Sequence, residues 1–109
     1  ASGMLGVCES MAYARAAGLD PETVLESIGE GAASSWSLSN LAPRMLREDV
    51  EPGFYVKHFI KDLGIALESA REFGTDLPGL ALAHELYRKL AARGFEDAGT
   101  QALFRLYTD

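Results

Sequence analysis

The sequence predicts an all-α domain of five to six helices, and three observations lead to that prediction. The chain has 109 residues, of which 48% are hydrophobic, so it can bury the core of one compact domain. Apolar residues recur with helical spacing along most of the chain. No stretch alternates apolar and polar residues between two turn signals, as a half-buried β-strand would.

Residues 1–17 are predicted to form a buried helix. Their apolar side chains point in nearly every direction on a helical wheel, and only Glu9 and Arg15 are charged. A helix that is apolar all round is typically buried on all sides. Because the segment also lacks a strong start signal, we expect it to be the end of a longer helix that begins upstream of this sequence.

Proline and glycine residues separate this helix from five others. Proline in the first turn and glycine just after the last turn are typical helix boundaries. We expect Pro43 to end or kink the third helix and Asp97 to cap the last one. The further helices are predicted at residues 21–28, 36–42, 55–73, 78–93 and 97–107, with an extra turn at 44–48.

The charge of the chain argues against two classes of partner. The formal net charge is −6 and the isoelectric point is about 4.8, the wrong sign for binding nucleic acid or an anionic membrane. No apolar run approaches the roughly 18–20 residues of a membrane span. The single cysteine, Cys8, has no partner for an intramolecular disulfide, which is typical of reducing compartments. We therefore expect a cytoplasmic protein that binds neither membranes nor nucleic acids.

The sequence contains no complete catalytic set and no metal site. His58 and His84 are far apart, and neither has cysteine or carboxylate neighbours at the spacing of a metal centre. The four serines between residues 34 and 39 lack a nucleophile-elbow motif, so helix capping explains them. The sequence also contains no glycine-rich motif of a phosphate-binding loop.

The segment FYVKHFIKDLGIA, residues 54–66, combines a helical core pattern with unusual charge. On a helical wheel one side is apolar, and Lys57 and Lys61 lie on the other. A solvated outer face without function is the ordinary interpretation of those two lysines. The apolar side consists of Tyr55, Val56, Phe59, Ile60, Leu63, Ala66, Leu67, Ala70 and Phe73.

Lys61 stands out among these charges. On the same wheel, Phe54 and Ile65 point in nearly its direction, and Gly64 lies beside it. Glycine inside a helix costs about 0.5–1 kcal/mol relative to alanine, so its presence indicates that another group approaches the backbone there. These neighbours favour a second interpretation, in which Lys61 faces a phosphate or carboxylate group in a partly apolar pocket.

The motif P-G-F-x-x-x-x-x-x-K-D-L-x-x-A, ending at Ala66, resembles the signature of the C-terminal domain of β-hydroxyacid dehydrogenases. This family includes the 3-hydroxyisobutyrate dehydrogenases and the tartronate semialdehyde reductases. Three further segments resemble the family in the same order and cover nearly the whole chain. They are GLDPETVLESI, TDLPGLALAHELY and GFEDAGTQALFRLY.

The resemblance implies a helical fold like the C-terminal domain of 6-phosphogluconate dehydrogenase over residues 1–109. In the family, a Rossmann domain with a G-x-G-x-x-G motif precedes this domain, which closes the active-site cleft and supplies the dimer interface. The family's catalytic lysine lies in a G-x-x-x-K-x-x-N segment that would run just ahead of Ala1. This chain is therefore expected to hold no catalytic residue and to be inactive alone.

The resemblance also assigns roles to individual positions. Lys61 is expected to reach the nicotinamide cofactor, NAD or NADP, in the cleft. The substrate pocket is expected to include Phe54, Ser35 and Trp36, with Asp62 and Gly64 in supporting roles.

The reaction that the resemblance implies is reversible hydride transfer between NAD(P) and the carbinol carbon of a small 3-hydroxy acid. The substrate would be 3-hydroxyisobutyrate-like or the corresponding semialdehyde, and the enzyme would be a homo-oligomer. One alternative needs no enzyme. The chain would then be a stand-alone helical dimerisation or adaptor module with residues 1–17 as its interface.

Overall fold

The computed structural model describes residues 1–108 and confirms the all-α prediction. Within those residues, the backbone pairs as in a sheet only at an isolated bridge between Tyr55 and Gly99. The α-helices are α1 (Ser2–Ala16), α2 (Pro21–Ile28), α3 (Trp36–Asn40), α4 (Ala42–Leu46), α5 (Val56–Phe73), α6 (Pro78–Leu90) and α7 (Arg105–Thr108). A π-helical turn, Ala91–Phe95, follows α6, and a 3₁₀ segment, Thr100–Phe104, precedes α7.

Helix α1 contacts most of the other elements, but it is buried along one face only. That face packs against α2, α3, α6, α7 and the 3₁₀ segment. On the opposite side Tyr13 is 72% exposed, and Gly6 is exposed as well. The prediction of burial on all sides is therefore wrong for this chain. The buried residues are Met4, Leu5, Val7, Cys8, Met11 and Ala14.

Helices α5 and α6 form a hairpin whose turn follows Gly74, a residue with φ of 69°. Only Val56, Leu63 and Ala70 of α5 are fully buried, at a spacing of seven residues. Phe73, predicted on the core side, is 80% exposed. The apolar stripe is broader than the interface because α5 packs mainly against α6 and the segment that follows it.

Two predicted boundaries differ from the structure, and both lie next to Pro43. The third helix breaks at Leu41, and Pro43 lies in the first turn of α4, where its missing N–H costs no helical hydrogen bond. After Leu90 the chain continues in a π-helical turn and leaves the helical conformation at Gly94, which has φ of 96°, so the glycine expected to close this helix does so.

The predicted cap of the last helix is also wrong. The 3₁₀ segment begins after Gly99 without a side-chain cap. Asp97 instead accepts a hydrogen bond from the Lys57 ammonium at 2.6 Å, which joins it to the start of α5.

Candidate functional site

The loop between α4 and α5, residues 47–55, is held by the buried side chain of Gln101. The Gln101 Nε2 group donates hydrogen bonds to the Asp49 carbonyl at 3.0 Å and to the Glu51 carbonyl at 2.9 Å. Arg44 donates to the Asp49 carboxylate at 3.0 Å and also to the Glu51 carbonyl. The hydrogen bond from Arg44 lowers the pKa of Asp49 below its usual value. The loop that carries Phe54 is thus fixed by a charge-assisted polar network.

Backbone hydrogen bonds extend this attachment to the start of α5. The Gly99 N–H donates to the Val50 carbonyl at 2.8 Å, and the Thr100 N–H donates to the Phe54 carbonyl at 3.1 Å. A Cβ atom at Gly99 would lie 2.8 Å from the Glu51 carbonyl oxygen, closer than side chains tolerate. Glycine is therefore required for this close approach of two chain segments.

Phe54 and Trp36, two of the predicted substrate-pocket residues, lie in one groove. Phe54 is 45% exposed and packs edge-on against Phe59, with ring centroids 5.8 Å apart. The Phe59 ring packs edge-on against the buried Tyr87 at 5.0 Å, so Phe54 rests on the core. The groove has a volume of about 220 Å³ and is lined by Trp36, Leu41, Arg44, Gly53, Phe54, Thr100 and Gln101.

Ser35, the third predicted pocket residue, lies outside this groove. Its hydroxyl oxygen accepts a hydrogen bond from the Leu38 N–H at 2.9 Å and caps α3. It lines a different groove together with Gly3 and Gly6 of α1. Ser35 and Trp36, although neighbours in the chain, therefore line two different grooves.

Lys61 is exposed on α5. Among residues 1–108, no carboxylate lies within ion-pairing distance of its ammonium. Lys57, one turn earlier, is bound to Asp97, and this hydrogen bond raises the pKa of Lys57. Of these two lysines, Lys61 is the one whose charge remains available for an external anion.

Lys61 and Phe54 do not share a direction as the helical wheel suggested. Helix α5 begins at Val56, so the wheel does not extend back to Phe54. Phe54 packs on Phe59. The side chains of Phe59 and Lys61 are two residues apart on the helix, so they point in directions about 160° apart. Phe54 therefore lies before the first turn of α5, against Phe59.

The two supporting residues lie one and three positions after Lys61, and they differ in their surroundings. Asp62 is exposed. A Cβ atom at Gly64 would lie 3.5 Å from Nε2 of His84 on α6. His84 would therefore make only an ordinary van der Waals contact with a side chain at position 64.

Sequence reasoning did not single out Arg44 and Gln101, which shape the groove. Gln101 is 2% exposed, the single buried polar residue in the described part of the chain. The sequence did contain one signal for Gln101. It directly precedes the apolar segment ALF, and a glutamine is rarely buried in a core. Arg44 carried no such signal, since arginine after a proline is common in exposed turns.

Two features are absent from the described residues, a cluster of metal ligands and a helix able to span a membrane. Over residues 1–108, no three His, Cys, Asp or Glu side chains gather closely enough to hold a metal ion. Within the same range, no helix combines the length and the hydrophobicity that crossing a membrane would require.

The chain is similar to oxidoreductases over nearly its whole length. It is 64% identical to an uncharacterized oxidoreductase of Bacillus subtilis, YkwC, over 98% of this chain and 37% of that protein. It is 53% identical to a probable 3-hydroxyisobutyrate dehydrogenase-like protein of Arabidopsis thaliana, described as mitochondrial, over 94% of this chain and 31% of that protein. The chain thus spans about a third of the length of these relatives.

A solved structure supports the fold. The crystal structure of 3-hydroxyisobutyrate dehydrogenase from Salmonella typhimurium superimposes with a TM-score of 0.89 at 23% identity. The match covers 96% of this chain and 38% of that one. A family model, described as the NAD-binding domain of NADP-dependent 3-hydroxyisobutyrate dehydrogenase, matches residues 1–107. From this match and the identity to its relatives, the chain belongs to the 3-hydroxyisobutyrate dehydrogenase family.

Proposed function

We propose that this chain is the helical domain of an NAD(P)-dependent oxidoreductase that acts on a small 3-hydroxy acid or its semialdehyde. The substrate would be 3-hydroxyisobutyrate-like, and the domain would form one wall of the active-site cleft. A dinucleotide-binding domain elsewhere in the protein would hold most of the cofactor. The observation that carries this proposal is the exposed Lys61, which lies in the K-D-L motif and has no carboxylate partner among residues 1–108.

Lys61 fits the cofactor by charge. NAD or NADP supplies the hydride acceptor and donor of the reaction, and both carry anionic groups. Lys61 would contact such a group, because its ammonium is exposed and is not neutralised by a nearby carboxylate. When a second domain closes over this surface, water is excluded and the attraction between the ammonium and the anion strengthens.

Phe54 and Trp36 would contact the substrate next to the start of α5. Their rings form an apolar wall that excludes water from the reacting atoms. Ser35 would position Trp36 indirectly, since its hydroxyl caps the helix on which Trp36 is the first residue. Asp62 and Gly64 would support the helix that carries Lys61.

The outer face of α1 supports a homo-oligomer. Tyr13 is 72% exposed there, and a Cβ atom at Gly6 would meet nothing within 4 Å. We propose that a second copy of the protein covers this face in the cytoplasm. The same face would serve as the interface in the alternative function, a helical dimerisation or adaptor module without catalytic activity.

The test of the proposed function is the substitution Lys61→Ala in the full-length protein. We expect the KM for the cofactor to rise, or kcat/KM to fall, by about tenfold or more, which corresponds to about 1.4 kcal/mol of lost binding. Activity is measured on a panel of small 3-hydroxy acids with NAD⁺ and NADP⁺, and on the corresponding semialdehydes with NADH and NADPH.

The matched control is Lys57→Ala, since that ammonium is already bound to Asp97. It removes the same charge one turn away and should leave the kinetics close to wild type. Unchanged kinetics for Lys61→Ala would remove Lys61 from the cofactor site. A full-length protein that dimerises but transfers no hydride would favour the adaptor function.

A further inference from the structure

Helices α5 and α6 each place a cation at the same level of their hairpin. Gly64 and His84 face each other across it, since a Cβ atom at Gly64 would lie 3.5 Å from Nε2 of His84. Lys61 is three residues before Gly64. Arg88 is four residues after His84. Because the two helices are antiparallel, both steps lead away from the hairpin turn.

The helix geometry brings these two cations close to each other. Steps of three and four residues return to nearly the same side of a helix, so Lys61 and Arg88 border the same groove between α5 and α6. At the rise of an α-helix the two steps are about 4.5 Å and about 6 Å long. The two side chains therefore leave their helices at nearly the same height.

Neither cation is neutralised within the domain. Lys61 and Arg88 are exposed, and among residues 1–108 neither forms an ion pair or a hydrogen bond through its side chain. Glu85, one turn before Arg88, lies 3.8 Å from the Lys89 ammonium. Glu68, on the same side of α5 as Lys61, is seven residues away, about 10 Å along the axis. Two like charges that face one groove repel each other unless an anion lies between them.

His84 adds a third polar group beside the two cations. Its ring forms no hydrogen bond in the part of the chain that the structure describes, and an imidazole N–H can donate to an anion. With glycine at position 64, no side chain from that position covers Nε2. A surface hollow of about 350 Å³ is present here, lined by His84, Glu85, Arg88, Lys89 and Ala92.

This set of donors matches a phosphate group. A guanidinium takes two phosphate oxygens at once, and an ammonium takes a further oxygen as a point charge. The hollow is within the roughly 300–1,000 Å³ of pockets that hold small molecules. A nucleic acid is not the source of the phosphate, because the net charge of the chain is −6.

We propose that Lys61, Arg88 and His84 form an anion site that holds a phosphate group of the dinucleotide cofactor. This inference rests on the proposed function and adds Arg88 and His84 to the single lysine that it assigns to the cofactor. Arg88 binds two phosphate oxygens, Lys61 binds a third, and Nε2 of His84 donates a hydrogen bond. The bound phosphate removes the repulsion between the two cations.

The first experiment measures the Kd of NADH and of NADPH for the full-length protein by fluorescence titration. We expect Arg88→Gln to raise the Kd by about tenfold, the lower end of what a hydrogen bond between charged groups contributes. Arg88→Lys keeps the charge but loses the two-pronged contact, so its Kd should rise less. An equal rise for both cofactors identifies the pyrophosphate that both carry, and a rise for NADPH alone identifies the 2′-phosphate.

The matched control is Arg93→Gln. Arg93 is exposed and unpaired among residues 1–108, as Arg88 is, but it does not line the hollow. The control should leave the Kd close to wild type. The double variant of Lys61→Gln with Arg88→Gln should raise the Kd by less than the product of the single effects, because both cations hold one group. A full product would assign them to separate contacts and overturn the shared site.

Inorganic phosphate separates the cofactor from a free anion as the occupant. At millimolar concentration it should compete with NADH in the wild type, and much less in Arg88→Gln. Phosphate binding that depends on Arg88, with an unchanged cofactor Kd in Arg88→Gln, would overturn the cofactor as the occupant. A raised KM for the hydroxy acid with an unchanged cofactor Kd would assign the cations to the substrate carboxylate and overturn it as well.

The binding measurements also separate this inference from the proposed function. Weaker cofactor binding in Lys61→Ala but not in Arg88→Gln would retain the proposed function and overturn the shared anion site. Cofactor binding that depends on Arg88, in a protein that transfers no hydride to or from any small 3-hydroxy acid or semialdehyde, would support the site and contradict the proposed reaction.

Discussion

The polar residues of this domain divide into those bound within the fold and those left available. Lys57 and Lys61 are one turn apart, but only Lys57 has a carboxylate partner, Asp97, among residues 1–108. Gln101 and Arg44 likewise donate hydrogen bonds to backbone carbonyls of the α4–α5 loop. A charged or amide group that is already satisfied stabilises the fold, and a neighbouring cation without such a partner is the better candidate for binding.

The network around Asp49 predicts a pH-dependent contribution to stability. The pKa of Asp49 is lowered, chiefly by the hydrogen bond from Arg44, so the folded state favours the carboxylate. Its contribution is present above the unfolded pKa of about 4 and is lost as the pH falls through the lower folded pKa. We expect Asp49→Asn to lower the urea midpoint at pH 7, and the difference from wild type to shrink below pH of about 4.

The control for this measurement is Asp76→Asn in the exposed α5–α6 turn, which should leave the urea midpoint nearly unchanged. A midpoint difference for Asp49→Asn that stays constant from pH 7 to pH 3 would contradict the role of its ionised form.

At the scale of elements, α5 carries the family motif and packs on α6 through a glycine. A Cβ atom at Gly64 would make an ordinary van der Waals contact of 3.5 Å with His84 Nε2. Packing therefore does not forbid alanine there, although glycine in a helix is less stable than alanine. The presence of glycine at this position is consistent with a requirement that lies outside the domain.

This reasoning predicts that Gly64→Ala stabilises the protein by about 0.5–1 kcal/mol, because alanine loses less conformational entropy on folding. If a second domain approaches α5 at Gly64, the same variant should lower kcat/KM while it raises the thermal midpoint. Gly74→Ala at the end of α5 is the contrasting variant, since φ of 69° strains alanine by about 1 kcal/mol. A destabilised Gly64→Ala protein would show that His84 cannot accommodate the methyl group.

At the scale of the whole molecule, α1 contacts most of the fold and still leaves one face open. The domain is elongated, with extents of 44 × 31 × 23 Å, so neighbouring elements do not surround α1. This face combines exposed apolar surface with Gly6, at which a Cβ atom would meet nothing within 4 Å. Such a surface is suited to close contact with another helix.

We expect the full-length protein to be at least dimeric at tens of micromolar, because covering this face removes the Tyr13 ring from water. Tyr13→Glu should shift it toward the monomer in size-exclusion chromatography with light scattering. Phe73→Glu introduces the same charge at an exposed aromatic on α5 and should leave the dimer intact. A wild-type protein that is strictly monomeric would count against α1 as an interface.

Helix content and the family motif followed from local features of the sequence. The caps and prolines around α2 and α6 and the glycine after α5 act over a few residues, and the structure places these helices within a few residues of the prediction. The K-D-L motif identified α5 for the same reason, since motif residues are neighbours in the chain.

Only the tertiary structure decided which surfaces are covered and which residues meet. The wheel placed Phe73 in the core and Phe54 beside Lys61, yet Phe73 is exposed and Phe54 lines a groove together with Trp36. Helical periodicity describes directions around one helix axis, whereas burial depends on elements distant in sequence that pack against it. Gln101 contacts Asp49 across 52 positions, and no local pattern could have predicted that contact.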